Sequence, residues 1–261
     1  NMNSLRNDYF NNRKSSSTRE GFGDGLLEIG SDPKVFALCA DLTDSVKMDK
    51  FKKEYSDRFV EVGIAEQNMA SVGSGIAAMG MIPYIASYAS FNPGRNWEQI
   101  RTTIAYNNLP VRIIGAHAGL MTGPDGGTHQ ALEDVALMRV IPNMTVLIPA
   151  DYNEAKAMTI ASLKMKGPVY IRLTREKAEE IYTDNYEYNS KASIVYKNDV
   201  NNPTHKVLII SAGPIINEAI LAAKDYSKTS ISVDVMNCGT VKPLDESSIK
   251  RAAEIYKKIV V

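Results

Sequence analysis

The 261-residue sequence predicts an α/β fold: a doubly wound, mostly parallel sheet followed by a second, truncated α/β unit. Three observations predict it. Short apolar runs alternate with helix-length segments, the order that strands and crossover helices take in a parallel sheet. The runs are apolar at consecutive positions rather than at every second one, so both faces of the sheet should be covered. Between about residues 178 and 204 the pattern dissolves into Glu, Tyr, Asn, Asp and Lys, which reads as a connector between two units.

Taken in order, residues 1–17 are polar, rich in Asn and Ser, and lack the apolar core of a signal peptide, so they are expected to form a flexible N-terminal arm. Strands are expected at 35–39, 59–62, 82–86, 111–115, 145–148 and 169–173. Helices are expected at 19–29, 65–79, 95–106, 130–140 and 152–166. Gly30, Gly80 and Gly167 stand where three of these helices stop, as C-terminal caps often do. The domain reading is 18–188 for the first unit and 189–261 for the second. The second unit has an edge strand at 192–196, a strand at 206–211, a turn at Gly213-Pro214 and a helix running to Lys224. A strand at 231–235, a helix at 245–257 and an interrupted last strand follow, so the polypeptide is expected to continue beyond Val261.

Acidic and basic residues balance at 30 each, so no global field favours nucleic acid or an anionic membrane. No run reaches the roughly 18 apolar residues of a membrane-spanning helix. Cys39 and Cys238 lie in apolar contexts without paired spacing and read as buried reduced thiols, which fits a cytoplasmic location.

In open parallel sheets ligands bind beyond the carboxyl ends of the strands, where strand order reverses. Asp41, Glu66, Tyr88 with Phe91, His117 and Arg175 follow five different expected strands. They should converge on one rim. Glu66 opens a helix rich in small residues, a surface suited to close approach by another subunit; an acid in a first helical turn also has the ordinary role of complementing the macrodipole. His117 and His129 are two of only three histidines. His129 lies in the glycine-kinked segment Asp125-Gly-Gly-Thr-His-Gln130 beside Asp125, a pattern that points to chemistry. No Cys/His ligand spacing and no Gly-x-Ser-x-Gly elbow are present, which disfavours a metal centre and a serine nucleophile. Arg19, Ser45, His117 and Arg175 are candidate phosphate ligands, with surface ion pairs as the alternative for the two arginines.

Gly63-Ile-Ala-Glu-Gln-Asn-Met69, Ala40-Asp-Leu-Thr43, Asp125-Gly-Gly-Thr-His-Gln130, Ile141-Pro-Asn-Met-Thr-Val146 and Pro149-Ala-Asp151 resemble the transketolases, with similarity from about Thr18 to Val261. The resemblance covers the family's pyrimidine-binding domain and the first part of its C-terminal domain. The family's diphosphate-binding domain has no counterpart here, so the chain looks like the C-terminal subunit of a split transketolase, or a fragment of a fused one. It implies thiamine diphosphate shared with an N-terminal partner subunit, Mg²⁺ bound by that partner and not by this chain, homodimerisation through the pyrimidine-binding domain, and sugar phosphate substrates. Gly23-Asp-Gly25 resembles the diphosphate-metal motif of thiamine enzymes but sits inside a helical pattern with no asparagine pair after it, and is read as coincidence.

By the same resemblance, Glu66 matches the acid that bonds the pyrimidine nitrogen and favours the imino form. That imine takes the proton from the thiazolium carbon, a role that calls for surroundings favouring neutral Glu66. Phe91 matches the aromatic stacked on the pyrimidine, Tyr88 a second aromatic of that wall, and Asp41 an acid near the cofactor. A third family aromatic corresponds to Gly94. His129 and Asp125 match contacts to donor hydroxyls; Arg19, Ser45, His117 and Arg175 match groups that hold the sugar phosphate. Deoxyxylulose-phosphate synthases typically carry His at the position of Asn68 and Arg at that of His117. The beta subunits of 2-oxoacid dehydrogenases usually lack the 125–130 loop. Asn68 and His117 therefore favour transketolase, and intact Glu66, His117, Asp125 and His129 argue against a non-catalytic partner-binding domain.

Overall fold

A computed structural model describes residues 5–261. The first unit runs through β1 (Ser15–Ser17), α1 (Thr18–Ile29), β2 (Val35–Cys39), α2 (Asp49–Glu54), β3 (Phe59–Glu61) and α3 (Glu66–Ala78). It continues with β4 (Ile82–Tyr88), α4 (Trp97–Gln99), β5 (Arg112–Ala116), α5 (Asp134–Val140), β6 (Thr145–Leu147), α6 (Tyr152–Ser162), β7 (Val169–Arg172) and β8 (Lys177–Glu179). The second unit holds β9 (Ser193–Tyr196), β10 (His205–Ser211), α7 (Ile216–Asp225) and β11 (Ile231–Asn237), then β12 (Thr240–Lys242), α8 (Glu246–Ile255) and β13 (Lys258–Val260).

The large sheet has the order β12-β6-β7-β5-β4-β2-β3; all neighbours are parallel except β12, which pairs antiparallel with β6. Successive side chains of its strands enter two different cores. Ala37, Cys39, Tyr84, Ala86, Ile114 and Ile171 face the layer of α1 and α6, while Leu38, Ile85, Ile113 and Tyr170 face the layer of α3 and the segment after α4. That two-sided burial is why the strands read as unbroken apolar runs. The chain runs from β2 outward to β3, then crosses back to β4 and on to β5, so the switch point lies between the carboxyl ends of β2 and β4. β11, between β10 and β9, helps form a separate four-stranded sheet, β13-β10-β11-β9.

Local sequence explains the helix starts. Ser17 caps α1 in a capping box, accepting from the Glu20 N–H while the Glu20 carboxylate accepts from the Ser17 N–H at 2.8 Å. Asp151 caps α6. Gly21 lets α1 and α6 touch: a Cβ there would lie 2.2 Å from the Tyr152 carbonyl oxygen. Gly23-Asp-Gly25 lies inside α1, with Asp24 bonded by Lys50 at 2.5 Å and by the Tyr152 hydroxyl at 2.7 Å, a structural use rather than a metal motif.

Four expectations are corrected. The helix expected at 130–140 starts only at Asp134, because residues 130–133 bend to present the preceding loop. The helix expected at 95–106 is a short α4 running into a π-helical turn at Ile100–Ala105. Gly80 follows the end of α3 with positive φ, but Gly167, also at positive φ, lies beyond α6, which ends at Ser162 and is capped by Leu163. Gly30 is right-handed, and a Cβ there would strike the Tyr55 ring at 2.2 Å, so space rather than backbone freedom demands glycine. The described part of the N-terminal arm is not loose. β1 pairs with β8, Leu5 and Arg6 donate to Val195 and Ile181, and buried Tyr9 donates to Asn217 Oδ1 at 2.8 Å. Residues 1–4 lie outside the described residues.

A buried acidic knot lies mostly within the first unit and reaches the second through Asn237. Asp151 Oδ2 accepts the N–H groups of Ile181 and Tyr182 at 2.7 and 2.8 Å. The Glu154 carboxylate accepts from the Ala150 N–H, from Asn237 Nδ2 and from the Tyr186 hydroxyl. Burial pushes the Asp151 carboxyl up to about 6 and the Glu154 carboxyl up to about 7, against the lowering effect of these bonds. Among the described residues no helix is long and apolar enough to cross a membrane. Both cysteines are buried and free, and burial pushes the Cys39 thiol up to about 11.

Candidate functional site

The carboxyl ends of β2, β3, β4, β5 and β7 lie along one edge of the sheet, so the side chains just beyond them meet on one rim. Glu66 enters it at the start of α3, which has no side-chain cap. Its carboxylate is 1% exposed and takes the Arg95 Nη1–H at 2.6 Å; Asn96 Nδ2 holds its backbone carbonyl at 3.0 Å. Asn92 fixes that loop beneath, donating to the carbonyls of Ile85 and Ile114. Sequence reasoning expected surroundings that favour neutral Glu66. The structure sets the Arg95 guanidinium against that carboxylate.

From Glu66 a chain of flat groups crosses the rim. Arg95 lies over the Phe91 ring, 4.5 Å from its centroid. Phe91 and Tyr88 are nearly parallel at 6.2 Å, and Tyr88 stacks on His117 at 3.8 Å. The His129 ring stands edge-on to both aromatics, at 5.2 Å from Phe91 and 6.0 Å from Tyr88. His129 Nδ1 lies 2.8 Å from the Thr128 hydroxyl.

His117 is buried and sits at φ 52°, and Asp41 sits at φ 59°. Non-glycine residues held in the left-handed region cost about 1–3 kcal/mol and cluster at functional sites. Burial, then the charges of Arg19 and Arg175, hold the His117 imidazole down to about 3, so it is neutral at ordinary pH and His117 Nδ1 has no hydrogen-bond partner. Arg19 Nη1 donates to the Ser45 carbonyl at 2.9 Å and approaches His117 Nε2 at 3.5 Å, while Arg19 Nε is buried without a partner. Arg175 Nη1 donates to the Thr122 carbonyl at 2.9 Å. Among the described residues neither arginine pairs with a carboxylate, so the ion-pair alternative falls away. Two cations and a neutral imidazole, with Arg19 Nε and His117 Nδ1 unpartnered, have the chemistry to hold an oxyanion.

The structure brings Glu66, Phe91, Tyr88, His117, His129, Arg19 and Arg175 together. It places Ser45 beside them through its carbonyl only. Asp41 and Asp125 are exposed, with no side-chain hydrogen bond among the described residues. Asp41 is fixed through its backbone: Glu61 accepts the N–H groups of Asp41 and Gly63 and the Thr43 hydroxyl, tying the loop after β2 to the approach to α3. A cleft of about 840 Å³ runs along Asp41–Ser45 and Glu61. Gly94 admits no side chain, since a Cβ would lie 2.1 Å from the Ser90 carbonyl oxygen. A third aromatic cannot stand there.

Sequence reasoning missed Arg95, Glu61 and the pair Asp134–Arg172. Arg172 Nε donates to Asp134 at 2.9 Å, and the Tyr170 hydroxyl donates to the same oxygen at 2.7 Å. A Cβ on Gly119 would lie 2.8 Å from Arg172 Nη2, so this pair backs the loop that carries His129. Arg95 had one available signal, its place directly after the glycine that departs from the family's aromatic.

The sequence matches the description "Transketolase, pyrimidine binding domain" over residues 14–180 and "Transketolase, C-terminal domain" over residues 197–261. A transketolase C-terminal section from Methanocaldococcus jannaschii is 37% identical, over 90% of this chain and 74% of that protein. A 6-deoxy-6-sulfo-D-fructose transketolase subunit from Clostridium sp. is 38% identical, over 90% of this chain and 72% of its own. A solved structure described as a split gene transketolase, inactive β4 tetramer, superposes with a TM-score of 0.83 at 35% identity, covering 93% of this chain and 78% of the other. With family matches over most of its length, relatives of this identity and a superposable sheet topology, the chain belongs to the transketolase family and corresponds to its C-terminal part.

Proposed function

We propose that this chain is the C-terminal subunit of a split transketolase, which moves a two-carbon ketol unit between sugar phosphates once assembled with an N-terminal, diphosphate-binding subunit. The observation that carries this reading is a buried Glu66 linked through Arg95 to the face of Phe91, within one cluster that also holds Arg19, His117 and Arg175. Those residues fit the ring of thiamine diphosphate, with an acid for a ring nitrogen and an aromatic face for a flat heterocycle, and the unpartnered Arg19 Nε and His117 Nδ1 fit a substrate phosphate. The cofactor, when bound, supplies the carbon–carbon cleavage.

Glu66 hydrogen-bonds the pyrimidine and governs the proton at its ring nitrogen. Phe91 and Tyr88 form the wall against the ring, with Asp41 at its margin. Arg19, His117, Arg175 and the Ser45 segment hold the substrate phosphate; a neutral imidazole between two guanidinium groups donates without adding charge of its own. His129 and Asp125 contact donor hydroxyls, with His129 oriented by Thr128. Mg²⁺ and the diphosphate belong to the partner, and the small-residue surface of α3 is the homodimer contact. The boundary near residue 188, the cytoplasmic location and a place in the pentose phosphate pathway are part of the same proposal.

The test is a coupled assay of the purified chain with and without its co-expressed partner, thiamine diphosphate and Mg²⁺, offering xylulose 5-phosphate or pyruvate as donor. Ketol transfer from the ketose, only in the mixture, is expected. Robust turnover by the chain alone contradicts the split site, and preference for pyruvate contradicts the reaction class.

A further inference from the structure

We infer that Arg95 is a built-in stand-in for the cofactor's ring, covering Glu66 and Phe91 in the unassembled chain and leaving when the ring arrives. The inference rests on the proposed function and adds a controlling residue to its site.

Two contacts define the place a flat aminopyrimidine would need: a hydrogen bond to the Glu66 carboxylate and the face of Phe91. Arg95 makes both, donating from Nη1 to Glu66 Oε2 at 2.6 Å with its guanidinium carbon 4.5 Å from the Phe91 centroid. A guanidinium suits the part because it is planar, delocalised and carries its N–H donors in the plane, so it can face an aromatic ring while its edge meets a carboxylate. Arg95 and the ring would compete for the same acid and the same aromatic face.

The surroundings let the side chain move while the backbone stays. The Arg95 N–H is tied to the Phe91 carbonyl at 3.0 Å, and Asn92 and Asn96 lock the loop from below. The Arg95 side chain, by contrast, is 44% exposed and has no side-chain hydrogen-bond partner but Glu66 among the described residues. Gly94 cannot carry the family's third aromatic, so no ring from that position shields the guanidinium. The ion pair spares the chain a buried, unpaired carboxylate before assembly. The consequence for binding is a competition that the ring must win.

The probe that isolates this competition is the free ring, 4-amino-5-hydroxymethyl-2-methylpyrimidine. It is uncharged near neutral pH and lacks the diphosphate that the partner would hold. It is titrated into the full chain by calorimetry and followed by the fluorescence of Trp97, the single tryptophan, two positions from Arg95. Arg95→Ala should bind it about tenfold more tightly than the parent, the order expected from losing one half-exposed ion pair and one cation–π contact. Arg95→Lys, which keeps the charge but not the planar fork, should fall between. In the complex with the partner, Arg95→Ala should also shorten the lag before thiamine diphosphate activates the enzyme. Equal affinity in parent and Arg95→Ala, or weaker binding in the variant, overturns the inference while leaving the proposed function standing. No binding to any variant, with none to the assembled complex either, removes the proposed function and this inference with it.

Discussion

Two buried acids in this molecule, Glu66 on the rim of the large sheet and Glu154 between the two units, sit in opposite kinds of surroundings. Glu154 is met by a main-chain N–H and a tyrosine hydroxyl of its own unit and by the Asn237 side-chain amide of the second. Among the described residues no cation pairs with it, and burial pushes its carboxyl up to about 7. Glu66 is met by one half-exposed guanidinium, beside stacked rings and an imidazole whose Nδ1 has no partner. The first acid is satisfied by the fold; the second is held by a group that can leave. Burial alone therefore does not mark a functional acid. On the proposed reading, what marks it is a half-exposed partner beside unused donors.

The largest expected effect separates the two. Glu66→Gln should cut ketol transfer in the assembled enzyme by about 10²–10⁴-fold, the usual worth of a positioned proton donor. Its urea midpoint should stay near that of the parent. Loss of stability comparable with the loss of turnover would erase the distinction drawn here.

Glu154→Gln should do the reverse, lowering stability by about 1–3 kcal/mol as buried donors lose their acceptor, with the remaining folded enzyme still turning over. pH sharpens this. The Glu154 carboxyl at about 7 and the Asp151 carboxyl at about 6 lie above their ordinary values of 4.5 and 3.8. The folded chain thus keeps protons that the unfolded chain has released. Their contribution to stability is full below the ordinary values and is lost as pH rises through the folded ones. Urea midpoints of the parent should fall from about pH 5 to about pH 8, and Glu154→Gln should flatten that slope. An unchanged slope would show that Glu154 does not titrate in this range.

Smaller effects follow at the margins of each region. His129→Ala should lower donor kcat/KM by about tenfold, the worth of one hydrogen bond to substrate, with little change in cofactor affinity. Equal losses in both would make His129 a cofactor contact. Tyr9→Phe should cost about 1 kcal/mol by removing the bond to Asn217. No change in melting temperature would return the N-terminal segment to the loose arm first expected.

Much of the rim was legible because its strands are apolar on both faces and their ends are marked by residues out of keeping with a core: Glu66, Tyr88, His117 and Arg175. Phe91, His129 and Arg19 also stand out by their positions, and the resemblance adds only the roles expected of them. The missed features share a physical cause, since each depends on a partner far away in sequence. Ser15–Ser17 carries no strand pattern, yet it pairs with Lys177–Glu179. Tyr9 sits in a polar stretch and is buried only because Asn217 and the second unit's core receive it. Arg95 looks like an ordinary surface arginine until Glu66 and Phe91 are brought to it. Asp41 and Asp125 fail in the opposite sense: their sequence context is distinctive, yet neither carboxylate joins the cluster in the chain by itself.

The most direct test of the central claim is exchange of the thiamine C2 proton for deuterium, followed by NMR in the assembled enzyme. If Glu66 governs the ring proton, Glu66→Gln should slow exchange by about 10²-fold or more while the complex still binds thiamine diphosphate. Exchange at the parent rate in a cofactor-saturated Glu66→Gln complex would contradict the account.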